Sequence, residues 1–238
     1  MPNFNASRYR DVSMYDTRSI TISFVNRVYA WMFTGLLLTA LSASAVIVVP
    51  ELRHFIVGTP QIILPLFLLQ IGLVMALSWG INRMNSIFAS IAFIVYSLLN
   101  GLTLSLLFFV YSTGSLALAF LVCAGMFGVM SVYGFVTKKD LTTIGNLCWM
   151  GLIGIIIASL VNLFMQSSAL EWIISYVGVA VFLGLIAYDT QKIKDISDSM
   201  DATGGETAKK YAIIGALALY LDFINLFIML LRILGNRR

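Results

Sequence analysis

Two aspartates lie in stretches of the chain that are otherwise almost wholly apolar. Asp189 follows VAVFLGLIAY, and Asp222 stands within IIGALALYLDFINLFIMLL. A carboxylate at the centre of a bilayer costs about 2.5–3.5 kcal/mol on insertion scales, and such residues usually face a bundle interior or a water-filled path. Two carboxylates within hydrogen-bonding reach cannot both ionise cheaply, so they share a proton. If Asp189 and Asp222 meet, they form a candidate pH sensor and cation gate that titrates between about pH 5 and 7.

The composition places these aspartates in a membrane protein. The chain has 238 residues, of which 60% are hydrophobic and 11% charged, whereas soluble domains carry about 25% charged residues. The net charge is +4, but the Lys and Arg residues cluster between apolar runs and form no continuous basic face, which excludes a nucleic-acid partner. The single histidine, His54, and the two cysteines match no metal motif. We therefore expect the lipid bilayer as partner and no resident metal or cofactor.

Hydropathy predicts an all-α bundle of seven transmembrane helices, since a span needs about 20 mainly apolar residues. A polar tail, residues 1–26, precedes a transmembrane domain, residues 27–238. The spacing of Ile186, Ile193 and Ile196 predicts that the sixth helix continues beyond its apolar run. The predicted spans are 28–49, 61–81, 87–111, 116–136, 145–166, 171–190 and 211–234.

The basic residues predict the orientation, because cytoplasmic loops carry an excess of Lys and Arg. With the N-terminus in the cytoplasm, eleven of the fifteen basic residues fall in inside segments. The basic C-terminal sequence RILGNRR resists this assignment, because seven spans place it outside. A re-entrant last segment, which would return this tail to the cytoplasm, is the alternative.

The sequence does not place the two aspartates at one depth. Asp222 lies 12 residues after Lys210, about 18 Å of helix rise and near the bilayer midplane. Asp189 lies 17 residues after Trp172, about 25 Å along its helix and close to the cytoplasmic face. Asp189 is then either one half of a pair or a helix-end carboxylate that meets a nearby lysine or the headgroups. For Asp222, the alternative to membership of a pair is a purely structural role.

Three sequence segments resemble the Bax inhibitor-1 family, in particular its bacterial members. They are YDTQKIK at the end of the sixth span, LYLDFINLF with LLR in the seventh, and NGLTLS in the third. The resemblance covers about residues 25–235. It implies a bundle with the seventh helix at its centre, in the bacterial inner membrane. It also implies a pH-sensitive leak of calcium, with two aspartates on the last two spans as the sensor, and these match Asp189 and Asp222.

The resemblance suggests roles for further polar residues. An arginine at the cytoplasmic end of the second span latches onto the aspartate pair in the family, and Arg83 is the nearest match; an ordinary positive-inside anchor is the alternative. Some members carry a glutamate toward the outer entrance of the pore, where this chain has the neutral Gln70. Asn100 and Asn225 either line a pore or form hydrogen bonds between helices.

Two other functions compete with a leak channel. Intramembrane aspartyl proteases also use two carboxylates that share a proton, but ALYLD lacks the glycine of their GxGD motif and their PAL sequence is absent. We therefore expect no enzymatic activity. Some bacterial relatives are described as regulators of a membrane-anchored AAA protease, and the tail NFNASRYRDVSMYDTRSI is long and basic enough to serve as the handle.

Overall fold

The computed structural model describes residues 4–81, 83–198 and 205–236, with side chains described from Thr21 onward. These ranges are mainly α-helical, and a short 3-10 helix at Pro60–Ile62 precedes the third α-helix. The α-helices are α1 (Phe4–Val48), α2 (Pro50–Val57), α3 (Ile63–Gly80), α4 (Ser86–Leu104), α5 (Leu107–Val110), α6 (Thr113–Val136), α7 (Thr142–Met165), α8 (Ser168–Asp198) and α9 (Glu206–Leu234).

Seven of the helical segments are long and apolar enough to cross a membrane. This result confirms the prediction of an all-α, seven-span, multi-pass membrane protein. The segments are Thr21–Val48, Pro60–Gly80, Ser86–Val110, Thr113–Val136, Thr142–Met165, Ser168–Asp198 and Glu206–Leu234.

Two helices extend beyond the predicted span edges. Helix α8 continues to Asp198, eight residues past the predicted edge at 190, as the spacing of its isoleucines indicated. Helix α1 begins at Phe4, so the predicted polar tail and the first span share one continuous helix. The division of the chain at residue 26 stays a prediction about domains.

Hydrogen bonds at the two ends of α9 show that it crosses the whole bundle. At one end, the Glu206 carboxylate accepts hydrogen bonds from the backbone N–H and the hydroxyl of Ser86. At the other end, the backbone N–H of Asn236 donates to Ser115 Oγ at 2.9 Å. A re-entrant last segment is therefore excluded. We call the end with Ser86 and Glu206 the predicted cytoplasmic end, and the end with Ser115 and Asn236 the predicted outer end.

Helix α9 lies at the centre of the bundle. Of the residues in its most apolar window, 67% are buried, against 11–39% in the other six spans. It packs against α1, α4, α6 and α8. Glycines allow close approach elsewhere in the bundle: a Cβ atom on Gly134 of α6 would overlap the backbone oxygen of Ala187 in α8. Small residues at such contacts are typical of membrane bundles.

Candidate ion-sensing site

The structure brings Asp189 of α8 and Asp222 of α9 together, with their carboxyl groups within hydrogen-bonding reach. Asp222 is only 5% exposed, and its Oδ2 has no hydrogen-bond partner among the residues that the structure describes. Two ionised carboxylates offer acceptors and no donor. A hydrogen bond between these groups therefore requires a proton on one of them.

The length and register of α8 explain how the pair forms despite the depth mismatch in the sequence. Gly215 of α9 packs against Ile193 of α8. From that level, Asp189 lies four residues further toward the outer end and Asp222 lies seven, which are rises of about 6 Å and about 10.5 Å. The difference is close to one helical turn, which the two side chains span. Because α8 continues to Asp198, Asp189 lies within the helix rather than at its end.

The charged groups around the pair differ from those that the resemblance implied. Lys192, on the same helix, acts electrostatically on Asp189, and Cys148 of α7 is close enough to interact with Asp222. Arg83 is exposed in the turn between α3 and α4. Within the described residues, the structure forms no contact between Arg83 and the pair. The latch therefore stays a prediction about another conformation.

The residues of YDTQKIK that follow Asp189 attach α8 to neighbouring segments. Thr190 Oγ1 lies 3.3 Å from the Tyr29 hydroxyl of α1. The Gln191 side chain accepts a hydrogen bond from the backbone of Leu141 at 2.8 Å and donates one to the backbone oxygen of Lys139 at 2.9 Å. The motif thereby joins α8 to α1 and to the α6–α7 connection around Asp189.

The next lysine and the preceding tyrosine of the motif also have defined contacts. Lys194 Nζ donates to the backbone oxygen of Phe135 at 3.0 Å, near the C-terminus of α6, where a cation is favourable. The ring of Tyr188 fills the space that a side chain at Gly145 of α7 would need. Through the YDTQKIK segment, which includes Asp189, helix α8 therefore contacts α1, α6, α7 and α9 near the pair.

The candidate pore-lining residues all have hydrogen-bond partners. The Gln70 amide donates to the backbone oxygen of Leu99 at 3.0 Å and to Thr103 Oγ1 at 3.2 Å. The Asn100 amide donates to the hydroxyl of Tyr220 in α9 at 2.9 Å. Asn225 bonds to the backbone oxygen of Leu221 within α9, at 2.8 Å. Gln70 thus joins α3 to α4, whereas Asn225 does not bridge helices through this bond.

Tyr220 is a central residue that the sequence analysis missed. It is 0% exposed, and its hydroxyl lies 2.6 Å from Thr39 Oγ1 of α1 and 2.9 Å from Asn100 Nδ2 of α4. Tyrosines of membrane proteins usually lie at the interfaces, and a buried hydroxyl needs a partner. A tyrosine in mid-span, two residues before an aspartate, was the signal that could have revealed it.

Tyr220 and Asp222 lie on opposite faces of α9. Residues two apart in a helix with 3.6 residues per turn are separated by about 200°. Tyr220 accordingly contacts α1 and α4, and Asp222 contacts α8. One face of the central helix is therefore fixed by a satisfied polar cluster, while the other carries an unsatisfied carboxyl pair.

These features define a multi-pass helical membrane protein with a carboxyl pair between its last two spans. The sequence profile of the family described as "Inhibitor of apoptosis-promoting Bax1" matches residues 21–238, and the chain belongs to this Bax inhibitor-1 family. It is 46% identical to the inner membrane protein YbhL of Escherichia coli (strain K12) over 236 residues, covering 96% of this chain and 98% of that protein. It is 38% identical to a membrane protein of Streptococcus pyogenes serotype M6 over 216 residues, covering 90% of this chain and 92% of that protein.

Proposed function

We propose that the protein is a pH-sensitive leak channel for calcium and related cations, gated by Asp189 and Asp222. The observation that carries the proposal is the buried Asp222 carboxyl, which lies within hydrogen-bonding reach of Asp189 and whose Oδ2 has no donor among the described residues. Such an arrangement is satisfied when one proton is shared and strained when none is bound. The similarity to an inner membrane protein supports a location in the bacterial inner membrane.

Loss of the shared proton changes the pair from one negative charge to two. Two adjacent charges in a water-poor site repel each other, and each needs water or a cation. We expect α8 to shift relative to α9 and to admit either of them. Carboxylate oxygens are the ligands that calcium prefers, so the ionised pair suits calcium as a passing ion.

Arg83 supplies a competing partner for the ionised pair in this proposal. A guanidinium binds a carboxylate through two parallel hydrogen bonds, and Arg83 lies in a turn at the same end of the bundle. Its contact with the pair would close the cytoplasmic end, and the exposed Arg83 of this structure corresponds to the released arrangement. We expect Arg83→Ala to raise basal flux if the latch forms and to leave flux unchanged if Arg83 is only an anchor.

The decisive measurement is calcium flux into proteoliposomes as a function of pH. Asp222→Asn and Asp189→Asn each keep the size of the side chain and remove its charge, so each should flatten the pH dependence. Asp195→Asn is the matched control, because Asp195 is an exposed carboxylate on the same helix as Asp189, and it should keep the wild-type profile. Wild-type flux that is flat between about pH 5 and 8 would contradict the proposal, as would a double Asn variant with the full response.

The extension of α1 favours a second, compatible function as a regulator of a membrane-anchored protease. The helix begins at Phe4, 24 residues before the predicted first span at residue 28. These residues add about 36 Å of helix, a handle that a partner can grasp. Deletion of residues 2–20 should abolish the effect of this protein on the activity of the protease and leave ion flux intact. Loss of flux would show that the two functions are not separable.

We further propose that the aspartate pair has no proteolytic activity. A peptide bond must reach both carboxyls in an aspartyl protease, and Asp222 is 5% exposed within the bundle. Incubation of the proteoliposomes with membrane-embedded peptide substrates should yield no cleavage that depends on Asp222.

A further inference from the structure

Helix α1 is attached to different helices on the two sides of its middle. On the outer side, Thr39 Oγ1 lies 2.9 Å from the backbone oxygen of Ser97 in α4 and 2.6 Å from the Tyr220 hydroxyl of α9. Ser42 Oγ donates to the backbone oxygen of Leu98 in α4 at 2.8 Å. The outer part of α1 is therefore joined to the polar cluster that fixes one face of α9.

On the predicted cytoplasmic side, the same helix is attached to α8. Thr21 Oγ1 donates to the Asp198 carboxylate at 2.7 Å, and the Tyr29 hydroxyl lies 3.3 Å from Thr190 Oγ1. The two contacts are eight residues apart on both helices, about 12 Å of rise, and they follow each other in opposite directions along the chain. The two segments therefore lie side by side and antiparallel. We call these two contacts the α1–α8 clamp; it holds the part of α8 that directly follows Asp189.

Apolar packing joins the clamp to the central helix. Val28 of α1 is 0% exposed and Ile193 of α8 is 5% exposed. A Cβ atom on Gly215 of α9 would lie 3.4 Å from Val28 and 3.1 Å from Ile193, so three helices meet closely at this level. Because packed interiors transmit displacement from one side chain to the next, a shift of α8 relative to α9 also displaces the cytoplasmic part of α1.

The middle of α1 has the features of a pivot. Glycine is a weak helix former, and a Cβ atom on Gly35 would lie 2.7 Å from the Phe93 ring of α4. Thr34 Oγ1 donates to the backbone oxygen of Ala30 at 2.8 Å, and Thr39 Oγ1 lies 2.9 Å from that of Gly35. Such bonds to the carbonyl four residues earlier often bend helices. Helix α1 can therefore bend near Gly35, where it is pressed against α4.

We propose that α1 is a lever, pivoted near Gly35, that carries the protonation state of the aspartate pair to the N-terminal residues of the chain. The inference rests on the proposed function, because it requires α8 to shift when the pair ionises. Tyr29 lies six residues from Gly35, about 9 Å of rise, and Phe4 lies 31 residues away, about 46 Å. Because α1 is continuous from Phe4, a displacement at the clamp is enlarged about fivefold at its first residue.

The pair supplies the change of charge that drives the lever. The other titratable side chains on the helices around it are Lys192 of α8, Cys148 of α7, Cys123 of α6 and Tyr29 of α1, with Tyr96 of α4 on the opposite face of α9. Amines, thiols and phenols ordinarily titrate above about pH 8. Between about pH 5 and 8, the change of charge in this region is therefore expected at Asp189 and Asp222.

Distances between spin labels test the lever without any measurement of flux. One label is attached at Ile87→Cys, an exposed site at the start of α4, and the second at Ser13→Cys or Ser23→Cys on α1; the native cysteines are buried. If α8 shifts by about 1–2 Å, as helices at interfaces do, the backbone at residue 23 moves about 2–4 Å and at residue 13 about 4–7 Å. We expect these displacements between about pH 5 and 8.

Leu41→Cys is the control for the pivot, because Leu41 is exposed on the same helix but lies on the other side of Gly35. Its distance to the label at residue 87 should change by less than about 1 Å. Equal changes at residues 13, 23 and 41 would overturn the pivot, and unchanged distances at all three would overturn the lever. The double variant Asp189→Asn with Asp222→Asn should abolish the displacement; a displacement that persists there would overturn its assignment to the pair.

A variant of the clamp tests whether α8 drives α1. Thr21→Val with Tyr29→Phe removes both hydroxyls and keeps the shapes of the side chains. The displacement at residue 13 should fall at least about twofold, because hydrogen bonds no longer tie α1 to α8, while flux keeps its pH dependence. Thr143→Val with Tyr133→Phe is the matched control, since it makes the same two changes at exposed positions. An undiminished displacement in the clamp variant would overturn the clamp as the link.

The outcomes separate this inference from the proposed function. A label displacement that depends on the pair, in a protein whose flux is flat with pH, would support the lever and contradict the channel gate. Flux that depends on pH while residues 13 and 23 stay in place would overturn the lever and leave the proposed function standing.

Discussion

Tyr220 stabilises the part of the bundle that is expected to stay still while the aspartate pair changes its charge. Its hydroxyl is the common partner of Thr39 on α1 and Asn100 on α4, and its ring packs edge-on against Phe93 and Tyr96. Three helices therefore meet at one side chain. Asp222, on the opposite face of α9, faces the Asp189 carboxyl of α8 and lies near the Cys148 thiol of α7, and it is free to respond to a proton.

Tyr220→Phe removes only the hydroxyl and should lower the stability of the protein. Asn100 loses the acceptor of its bond, and an unsatisfied buried group costs about 1–3 kcal/mol, compared with an average of about 0.6 kcal/mol for a hydrogen bond between membrane helices. Thermal unfolding in detergent measures the effect. Tyr211→Phe is the control, because Tyr211 lies on the same helix and is exposed; equal melting temperatures for the two variants would contradict the role of Tyr220.

A glycine lets α6 and α8 approach each other closely beside the aspartate pair. Gly134 lets the two backbones meet at Ala187, two residues from Asp189. The clash that a side chain would cause there involves a backbone oxygen, which cannot turn away as a flexible side chain can. The position of α8, and with it the position of Asp189, therefore depends on the absence of a side chain at residue 134.

Gly134→Ala should force α6 and α8 apart and lower stability by about 1–3 kcal/mol, the usual cost of overpacking. Gly154→Ala in α7 is the matched control. A Cβ atom there meets nothing within 4 Å, and alanine is favoured over glycine in helices by about 0.5–1 kcal/mol, so this variant should be neutral or more stable. Thermal unfolding distinguishes the two, and a stable Gly134→Ala would show that the helices have room to separate.

The seven crossings and the charge distribution together define an orientation for the whole molecule. Asn236 lies beside the start of α6, at the end opposite to Ser86 and Glu206. Eight basic residues from 27 onward fall in the predicted inside segments: Arg27, Arg83, Lys138, Lys139, Lys192, Lys194, Lys209 and Lys210. This split predicts that Asn236 is outside and Lys138 inside.

Cysteine labelling in intact cells checks this orientation. Asn236 and Lys138 are both exposed, while the native Cys123 and Cys148 are buried and provide a low background. Asn236→Cys should react with an impermeant maleimide in intact cells, and Lys138→Cys only after the membrane is opened. The reverse pattern would invert the orientation, and labelling of both in intact cells would contradict the odd number of crossings.

Local sequence was sufficient to predict the spans and to select the aspartates. The seven apolar runs are each long enough to cross a bilayer, and a carboxylate within such a run is costly enough to be noticed. The spacing of Ile193 and Ile196 also indicated the extension of α8. These properties belong to single helices, because in a bilayer each helix must satisfy its own backbone hydrogen bonds.

Only the tertiary structure decided which residues meet. The sequence placed Asp189 and Asp222 at different depths, and the packing of Gly215 against Ile193 brings them to within about one turn. Arg83 stands in a turn away from the pair, and Tyr220 acquires its role from two helices that are distant along the chain. The relative depth of two helices and the faces that they turn toward each other are set by side chains that pack between them. A pattern within one helix contains no information about the rotation of its neighbour or about its position along the bundle axis.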